Sequence, residues 1–279
     1  MKNIGFIGLG AMGSAMAPLL VKAGYKVFGF DIKNTMPDDY GIINVKSINL
    51  LSDKDVIIFM LPSGKEVTNT ATILSDLRTN SIMIDMSSSH PEDTIKLGKK
   101  LKKNKLTLID APVSGGVAKA RTGELMIMVG GEKDQIEKVK NILQVMGKIQ
   151  VTGPLGSGHA MKSLNNYVSA AGLIASLEAL NTAIKLGIKP KNFLKIINGA
   201  TGKNNSTEVK LERFIISKKY NSGFALNLMT KDVSIANGLI ENHTKKLSFS
   251  KNVLDYLNAS LHLLGNEADH TEVYKILSK

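Results

Sequence analysis

The sequence predicts an α/β protein: a doubly wound domain built on a mostly parallel sheet (residues 1–158), then an all-helical domain (residues 159–279), joined by a long interdomain helix. Two patterns carry this prediction. Apolar, strand-like runs alternate with helical patterns in the first half of the chain, and helical patterns alone follow residue 155. With 279 residues and 43% hydrophobic content, the chain is long enough for two domains that each bury a core.

The first predicted strand, residues 2–7, runs directly into a G-x-G-x-x-G turn and an Ala/Leu-rich helix. In this setting Gly8 allows the tight turn, Gly10 lets a pyrophosphate approach the backbone, and Gly13 allows close packing of helix on strand. The helix N-terminus supplies amide donors for phosphate. The pattern predicts a dinucleotide site of the Rossmann type, formed by Gly8, Leu9, Gly10, Ala11, Met12 and Gly13.

The second predicted strand, residues 26–31, ends in an acid that bears on the cofactor. Asp31 lies 18 residues after Gly13, close to the spacing at which a carboxylate meets the adenosine ribose. A carboxylate there accepts both ribose hydroxyls and repels a 2′-phosphate, which favours NAD over NADP. Lys33 would pair with such a phosphate as readily as it would be solvated, so NADP stays possible.

Four further strands are predicted, at residues 55–60, 81–86, 106–110 and 125–129. Since they are continuously apolar and mostly separated by helical stretches, they indicate a sheet covered on both faces. Such sheets bind ligands beyond the carboxyl ends of their strands. Chemistry is therefore expected in the small polar loops that follow these strands.

Two of these loops carry candidate binding residues. In one, Ser88 or Ser89 is expected to contact the cofactor, although Ser89 fits equally well as the cap of a helix that begins near Pro91. In the other, a hydroxyl stands beside two flexible glycines that present backbone N–H groups in a concavity, which suits a substrate carboxylate; a plain turn is the alternative. This second group is Ser114, Gly115 and Gly116.

A helical pattern runs from His159 to about Leu186, after a glycine-rich junction at residues 153–158. Lys162 and Asn166 are four residues apart on it and share a face. A lysine buried beside a cleft loses proton affinity, and Lys162 would then serve as an acid or base near neutral pH. A solvated lysine is the alternative.

The composition narrows the function classes. Without cysteine there is no disulfide framework, thiol nucleophile or cysteine metal site. The five histidines lack metal-ligand spacing, so no metal is expected.

The net charge of +12 comes mostly from scattered lysines. The lysine cluster at residues 99–105 is typical of the solvated end of a helix rather than of a nucleic-acid site. No apolar run approaches a membrane span, and no signal peptide precedes the first strand, so a cytoplasmic location is expected.

Three ordered motifs now carry a family resemblance. They are the glycine turn at residues 8–13, the sequence Asp-Ala-Pro-Val-Ser-Gly-Gly at residues 110–116, and the glycine-rich junction that leads to Lys162 and Asn166. Together they resemble the β-hydroxyacid dehydrogenase family, the group around 3-hydroxyisobutyrate dehydrogenase. Residues 224–233 and the pair Gly265 and Asp269 resemble later segments of the family, so the likeness covers nearly the whole chain.

The resemblance implies hydride transfer between NAD(P) and a short β-hydroxy acid or its semialdehyde, by a homodimer or homotetramer. Lys162 falls on the position of the catalytic lysine, and Asn166 on that of the polar partner that helps hold the substrate. Substrate contacts are implied for Ser114, Gly115, Gly116 and Asp232, and cofactor contacts for Leu61, Pro62, Ser88 and Lys231. The tail departs from the usual Asp-x-Ser pattern, with Asp269-His270-Thr271, and is expected to pack rather than react.

Two other functions fit the same architecture. Imine reductases usually carry another residue at the position of Lys162, and non-catalytic cofactor-binding scaffolds lack the lysine and add domains. Candidate substrates are 3-hydroxyisobutyrate, 3-hydroxypropionate, 4-hydroxybutyrate, and tartronate semialdehyde or glyoxylate. A second carboxylate on the substrate would meet Arg121 or Lys119, unless both are solvated.

Overall fold

The computed structural model describes residues 2–33, 36–37, 40–76, 81–243 and 249–277. The chain forms two compact units, Met1–Lys162 and Ser163–Lys279. Our division by motif and composition, 1–158 and 159–279, stays a prediction.

The first unit combines a sheet with helices, as predicted, and the sheet has nine strands in the residues that the structure describes. Its strand order is β3-β2-β1-β4-β5-β6-β8-β7, with β9 beside β8; β8 runs antiparallel to β6 and β7, and the other pairs are parallel. The first six positions follow the Rossmann order. The strands are β1 (Asn3–Ile7), β2 (Lys26–Phe30), β3 (Ile43–Asn44), β4 (Val56–Phe59), β5 (Ile82–Asp85), β6 (Thr107–Asp110), β7 (Val113–Ser114), β8 (Leu125–Gly130) and β9 (Gly147–Gly153).

Side chains alternate across this sheet and build a core on each face. In β4, Val56 and Ile58 join one buried cluster, whereas Ile57 and Phe59 join the other. Burial on both faces explains why the central strands read as continuous apolar runs. The helices of this unit are α1 (Gly13–Lys22), α2 (Gly64–Ser75), α3 (Pro91–Lys103), α4 (Gly116–Thr122) and α5 (Lys133–Gln144), with a 3₁₀ helix at Ile48–Leu51.

Three strands are absent from the sequence prediction. β3 and β7 have two residues each, too few for an alternating pattern. β9 is half exposed, and its Lys148 and Gln150 interrupt the apolar run. The predicted helix at His159 begins earlier, because α6 spans Ser157–Lys185 and includes Gly158.

The named elements of the second unit are all helices in the residues that the structure describes, as predicted, with one isolated β-bridge between Ala225 and Asp269. A buried cluster that includes Leu177, Leu211 and Val233 forms its core. By length and composition α6 could cross a membrane, contrary to the expectation that no apolar run approaches the length of a membrane span. Long core helices of water-soluble proteins meet the same criterion. The elements after α6 are α7 (Pro190–Gly199), a π-helix (Ser206–Ile216), α8 (Leu226–His243), α9 (Phe249–Leu264), a 3₁₀ helix (His270–Val273) and α10 (Tyr274–Leu277).

Candidate active site

The glycine turn lies between β1 and α1 and has the shape that a dinucleotide requires. Gly8 has a φ of +98°, and a Cβ there would stand 2.2 Å from the carbonyl oxygen of Met60. A Cβ on Gly13 would stand 1.8 Å from the carbonyl oxygen of Gly8, whereas one on Gly10 would have no neighbour within 4 Å. Two glycines are thus demanded by the turn itself, and the third leaves open space over the backbone, where a pyrophosphate fits.

Asp31 follows β2, the strand beside β1, and its carboxylate is fixed by backbone amides. The N–H of Leu9 donates to Oδ2 at 2.7 Å, and the N–H of Lys33 donates to Oδ1 at 2.8 Å. The first bond holds Asp31 beside the glycine turn, where the Rossmann pattern places the ribose-binding acid. Lys33 itself is exposed.

The loops that follow β4 and β5 are tied together by Ser87. The N–H of Leu61, which precedes Pro62, donates to Ser87 Oγ at 2.9 Å, and the N–H of Ser87 donates to Asp85 Oδ1 at 2.9 Å. Ser88 comes next in the chain. These two loops follow neighbouring strands, so the predicted cofactor contacts lie at one edge of the sheet.

The suggested cap role of Ser89 is wrong. Its hydroxyl donates to Asp85 Oδ2 at 2.7 Å inside the protein, and α3 is capped by His90, whose Nδ1 accepts from the N–H of Glu92 at 3.3 Å. The buried carboxylate of Asp85 requires donors, and Ser89 supplies one.

The three residues of the predicted carboxylate loop span the end of β7 and the start of α4. Ser114 pairs with Met126 in the sheet. Gly115 and Gly116 have φ values of +140° and +70°, which L side chains rarely adopt, so this backbone path requires glycine.

In the second unit, the structure joins Asn166 to Asp232. Asn166 Nδ2 donates to Asp232 Oδ2 at 2.6 Å, and both side chains are buried, at 6% and 2% exposure. Lys231 Nζ stands 3.9 Å from the other oxygen of Asp232. The buried bond fixes the direction of the Asn166 amide, a role of Asp232 that the sequence alone did not indicate. Lys162, one turn earlier on α6, is partly exposed.

Sequence reasoning also missed a buried polar cluster in the first unit, which we call the strand-end cluster: Asp85, Thr94, Asp110 and His159. All four are at most 3% exposed. His159 Nδ1 lies 2.9 Å from Thr94 Oγ1, and its Nε2 lies 3.6 Å from Asp85 Oδ2. An acid at the end of each of two buried strands was the available signal, since a buried carboxylate needs partners. Among the described residues, no group of three His, Cys, Asp or Glu is placed to hold a metal.

The sheet order and the glycine turn define a Rossmann-type dinucleotide-binding protein with a helical second unit. Residues 3–156 match the family model described as the NAD binding domain of 6-phosphogluconate dehydrogenase. Residues 156–277 match the model described as NAD-binding of NADP-dependent 3-hydroxyisobutyrate dehydrogenase.

Similar proteins span most of the chain. It is 34% identical to 2-(hydroxymethyl)glutarate dehydrogenase of Eubacterium barkeri over 84% of this chain and 81% of that protein. It is 36% identical to mitochondrial 3-hydroxyisobutyrate dehydrogenase of Drosophila melanogaster over 85% and 78%. A solved structure of Mycobacterium tuberculosis 3-hydroxyisobutyrate dehydrogenase with L-serine aligns over 100% of both chains, with a TM-score of 0.91 and 30% identity.

The chain therefore belongs to the β-hydroxyacid dehydrogenase family. It is an NAD(P)-dependent oxidoreductase that acts on the CH–OH group of a β-hydroxy acid. Imine reductases, such as that of Bacillus cereus at 19% identity and a TM-score of 0.67, share the fold alone.

Proposed function

We propose that this chain interconverts a short β-hydroxy acid of the 3-hydroxyisobutyrate type and its semialdehyde, with NAD as the preferred cofactor and Lys162 as the acid or base. The observation that carries the proposal is the placement of Lys162 and Asn166 one turn apart on α6, with the amide of Asn166 fixed by Asp232 at 2.6 Å. The three relatives described above are named for substrates with a β-hydroxy acid group.

The cofactor is held by the glycine turn and the loops beside it. The turn at Gly8–Gly13 would contact the pyrophosphate, and the carboxylate of Asp31 would accept hydrogen bonds from the ribose hydroxyls. The remaining cofactor contacts are proposed for four residues: Leu61, Pro62, Ser88 and Lys231. When bound, NAD would supply the hydride acceptor for the substrate carbinol carbon, and its reduced form the hydride donor for the semialdehyde.

Ser114 and the backbone amides of Gly115 and Gly116 hold the substrate carboxylate, which fixes the carbon that reacts. Lys162 Nζ takes the hydroxyl proton during oxidation and gives it back during reduction. Asn166 donates one amide hydrogen to Asp232, and the other polarises the substrate oxygen. No step needs a metal.

The partners of this enzyme follow from its surface and composition. We propose a homodimer or homotetramer, supported by apolar side chains that the second unit leaves exposed, among them Val168 and Ile196.

The proposed location is the cytoplasm, supported by the absence of cysteine. No nucleic-acid or membrane partner is proposed.

The test is a panel of short hydroxy acids and semialdehydes, including the candidates named above. Each is assayed with NAD and with NADP by the absorbance of the reduced nicotinamide. Turnover of a β-hydroxy acid that prefers NAD supports the proposal and names the substrate. If NAD binds but no compound of the panel is turned over, the proposal is contradicted, and an imine substrate or a scaffold role becomes the better explanation.

A further inference from the structure

We propose that Asp110 and His159 are positioning residues, which fix the first turn of α6 and through it the place of Lys162. This inference rests on the proposed role of Lys162. Neither residue is needed for contact with substrate or cofactor. Both belong to the strand-end cluster, and every contact that carries the argument lies within the first unit.

Asp110 binds the start of α6 with both carboxylate oxygens. The N–H of Gly156, directly before the helix, donates to Oδ1 at 2.7 Å, and the N–H of His159 donates to Oδ2 at 2.8 Å. Asp110 is fully buried at the end of β6. A negative charge at a helix N-terminus is favourable, and amides this deeply placed have no water to replace it. The carboxylate thus acts as a helix cap supplied from the sheet.

Glycines close around this carboxylate and leave it no room to move. A Cβ on Gly130 would lie 2.5 Å from Asp110 Oδ1. A Cβ on Gly158 would lie 2.8 Å from Asp110 Oδ2 and 2.3 Å from the carbonyl oxygen of Met128. The helix therefore approaches β6 and β8 as closely as only glycine allows, which sets the position of its first turn within narrow limits.

His159 fixes the same turn from a second side. Its ring is buried and lies between two carboxylates, with Nε2 3.6 Å from Asp85 Oδ2 and Nδ1 3.8 Å from Asp110 Oδ2. Nδ1 also lies within hydrogen-bond distance of Thr94 Oγ1, on α3. The contact with Thr94 links α6 to α3, and the ring also packs beside Asp85 at the end of β5, so the turn resists rotation about the helix axis.

The same network reaches the cofactor loops. Asp85, which faces His159, also accepts the N–H of Ser87, and the Ser87 hydroxyl accepts the N–H of Leu61. One chain of contacts therefore joins the loops proposed to hold the cofactor to the helix that carries Lys162, three residues after His159. Because reactions in active sites are sensitive to displacements of about 1 Å, loosening this chain should slow the chemistry more than it weakens cofactor binding.

The experiment compares Asp110→Asn with the wild type and with a matched control, Asp55→Asn, whose carboxylate accepts the N–H of Asn3 directly before β4, away from α6. An asparagine keeps the shape but accepts only one amide well. With 3-hydroxyisobutyrate and NAD, kcat should fall about 100-fold while the KM for NAD stays within about twofold, and the control should match the wild type. On a Lys162→Ala background, Asp110→Asn should cause no further loss, since it acts through that lysine.

Amide hydrogen exchange gives a readout that does not depend on turnover. Faster exchange over residues 156–162 in Asp110→Asn, with the rest of the sheet unchanged, is the expected result. If Asp110→Asn does not fold, Thr94→Val serves in its place, because it removes the hydroxyl beside His159. It should lower kcat and speed exchange over residues 156–162 in the same way but by smaller amounts.

Unchanged kcat and exchange in these variants, or a full additional loss on the Lys162→Ala background, would overturn the inference. If Lys162→Ala itself retains turnover, the proposed function fails instead. If 3-hydroxyisobutyrate is not turned over, the kinetics use the substrate that the panel identifies, and the exchange result still decides whether Asp110 fixes the turn.

Discussion

At the scale of single residues, the glycines of the turn serve two purposes: some are required by the fold, and others by the bound cofactor. Gly13 is required by the fold, because a Cβ there would stand 1.8 Å from the carbonyl oxygen of Gly8. Gly10 has open space around it and is required only when a phosphate approaches. A substitution at Gly10 should therefore weaken cofactor binding, whereas one at Gly13 should lower stability.

Gly10→Ala should raise the Kd for NAD about tenfold or more and leave the melting temperature unchanged, because the new methyl group occupies the phosphate's space. Gly13→Ala should lower stability by about 2 kcal/mol or more, because the helix must move away from the strand. Calorimetric titration and thermal unfolding measure the two effects. Equal melting temperatures for both variants would show that the turn does not need Gly13.

Asp31 should control the choice of cofactor. Asp31→Ser removes the carboxylate that repels a 2′-phosphate and keeps a small acceptor for the amide of Leu9, so the preference for NAD over NADP should fall about tenfold. The ratio of kcat/KM for the two cofactors measures it. Asp53→Ser, at an exposed carboxylate outside the proposed site, is the matched control. An unchanged ratio in Asp31→Ser would exclude the proposed ribose contact.

The site residues differ in how far the sequence could predict them. Gly8 and Gly13 were predictable because a backbone turn demands them whatever surrounds it. The function of Asp110 was not, since its amide partners lie 46 and 49 residues away and meet it only in the folded sheet. Of the two alternatives for Ser89, the helix cap was wrong, because the local spacing fits a cap but the hydroxyl bonds to the buried carboxylate of Asp85 instead.

At the scale of elements, the central strands were predictable because burial on both faces makes them continuously apolar. The edge strand β9 was missed because it is not such a run: polar and apolar residues alternate over 148–152, the pattern of a half-buried strand. In the second unit, the short 3₁₀ helix at His270–Val273 depends on Asp269, which accepts from the N–H groups of Gly223 and Thr271. That carboxylate therefore ties the tail to the loop before α8.

His270 should make this tie sensitive to acid. Burial, with a further contribution from the nearby Lys210 ammonium, lowers the pKa of His270 from 6.5 to about 4. The unfolded chain therefore binds a proton between these values that the folded chain does not. Stability should fall by about 3 kcal/mol as the pH drops from 6.5 to 4 and change no further through this group below that.

Urea unfolding at a series of pH values measures this slope. His270→Phe, which keeps a ring against Phe224, should remove most of it, and His262→Gln, at an exposed histidine on α9, should leave it intact. A slope that persists in His270→Phe would assign the acid sensitivity to other groups.

At the scale of the whole molecule, exposed apolar side chains on the second unit support the proposed self-association. Val168 on α6 and Ile196 on α7 are 66% and 67% exposed. Light scattering should give a mass of two or four times 30.1 kDa. The double substitution Val168→Lys and Ile196→Lys should lower that mass, whereas Thr182→Lys, at an exposed polar position on α6, should not. A monomeric wild type would contradict the proposed assembly.

The central claim is that Lys162 moves the substrate proton, and its most direct test is Lys162→Ala assayed for turnover and for NAD affinity in the same preparation. The proposed mechanism predicts a loss of kcat of about 10³-fold or more, with the Kd for NAD within about twofold of the wild type. Turnover close to that of the wild type, or loss of NAD binding in place of turnover, would contradict the role of Lys162 as the acid or base.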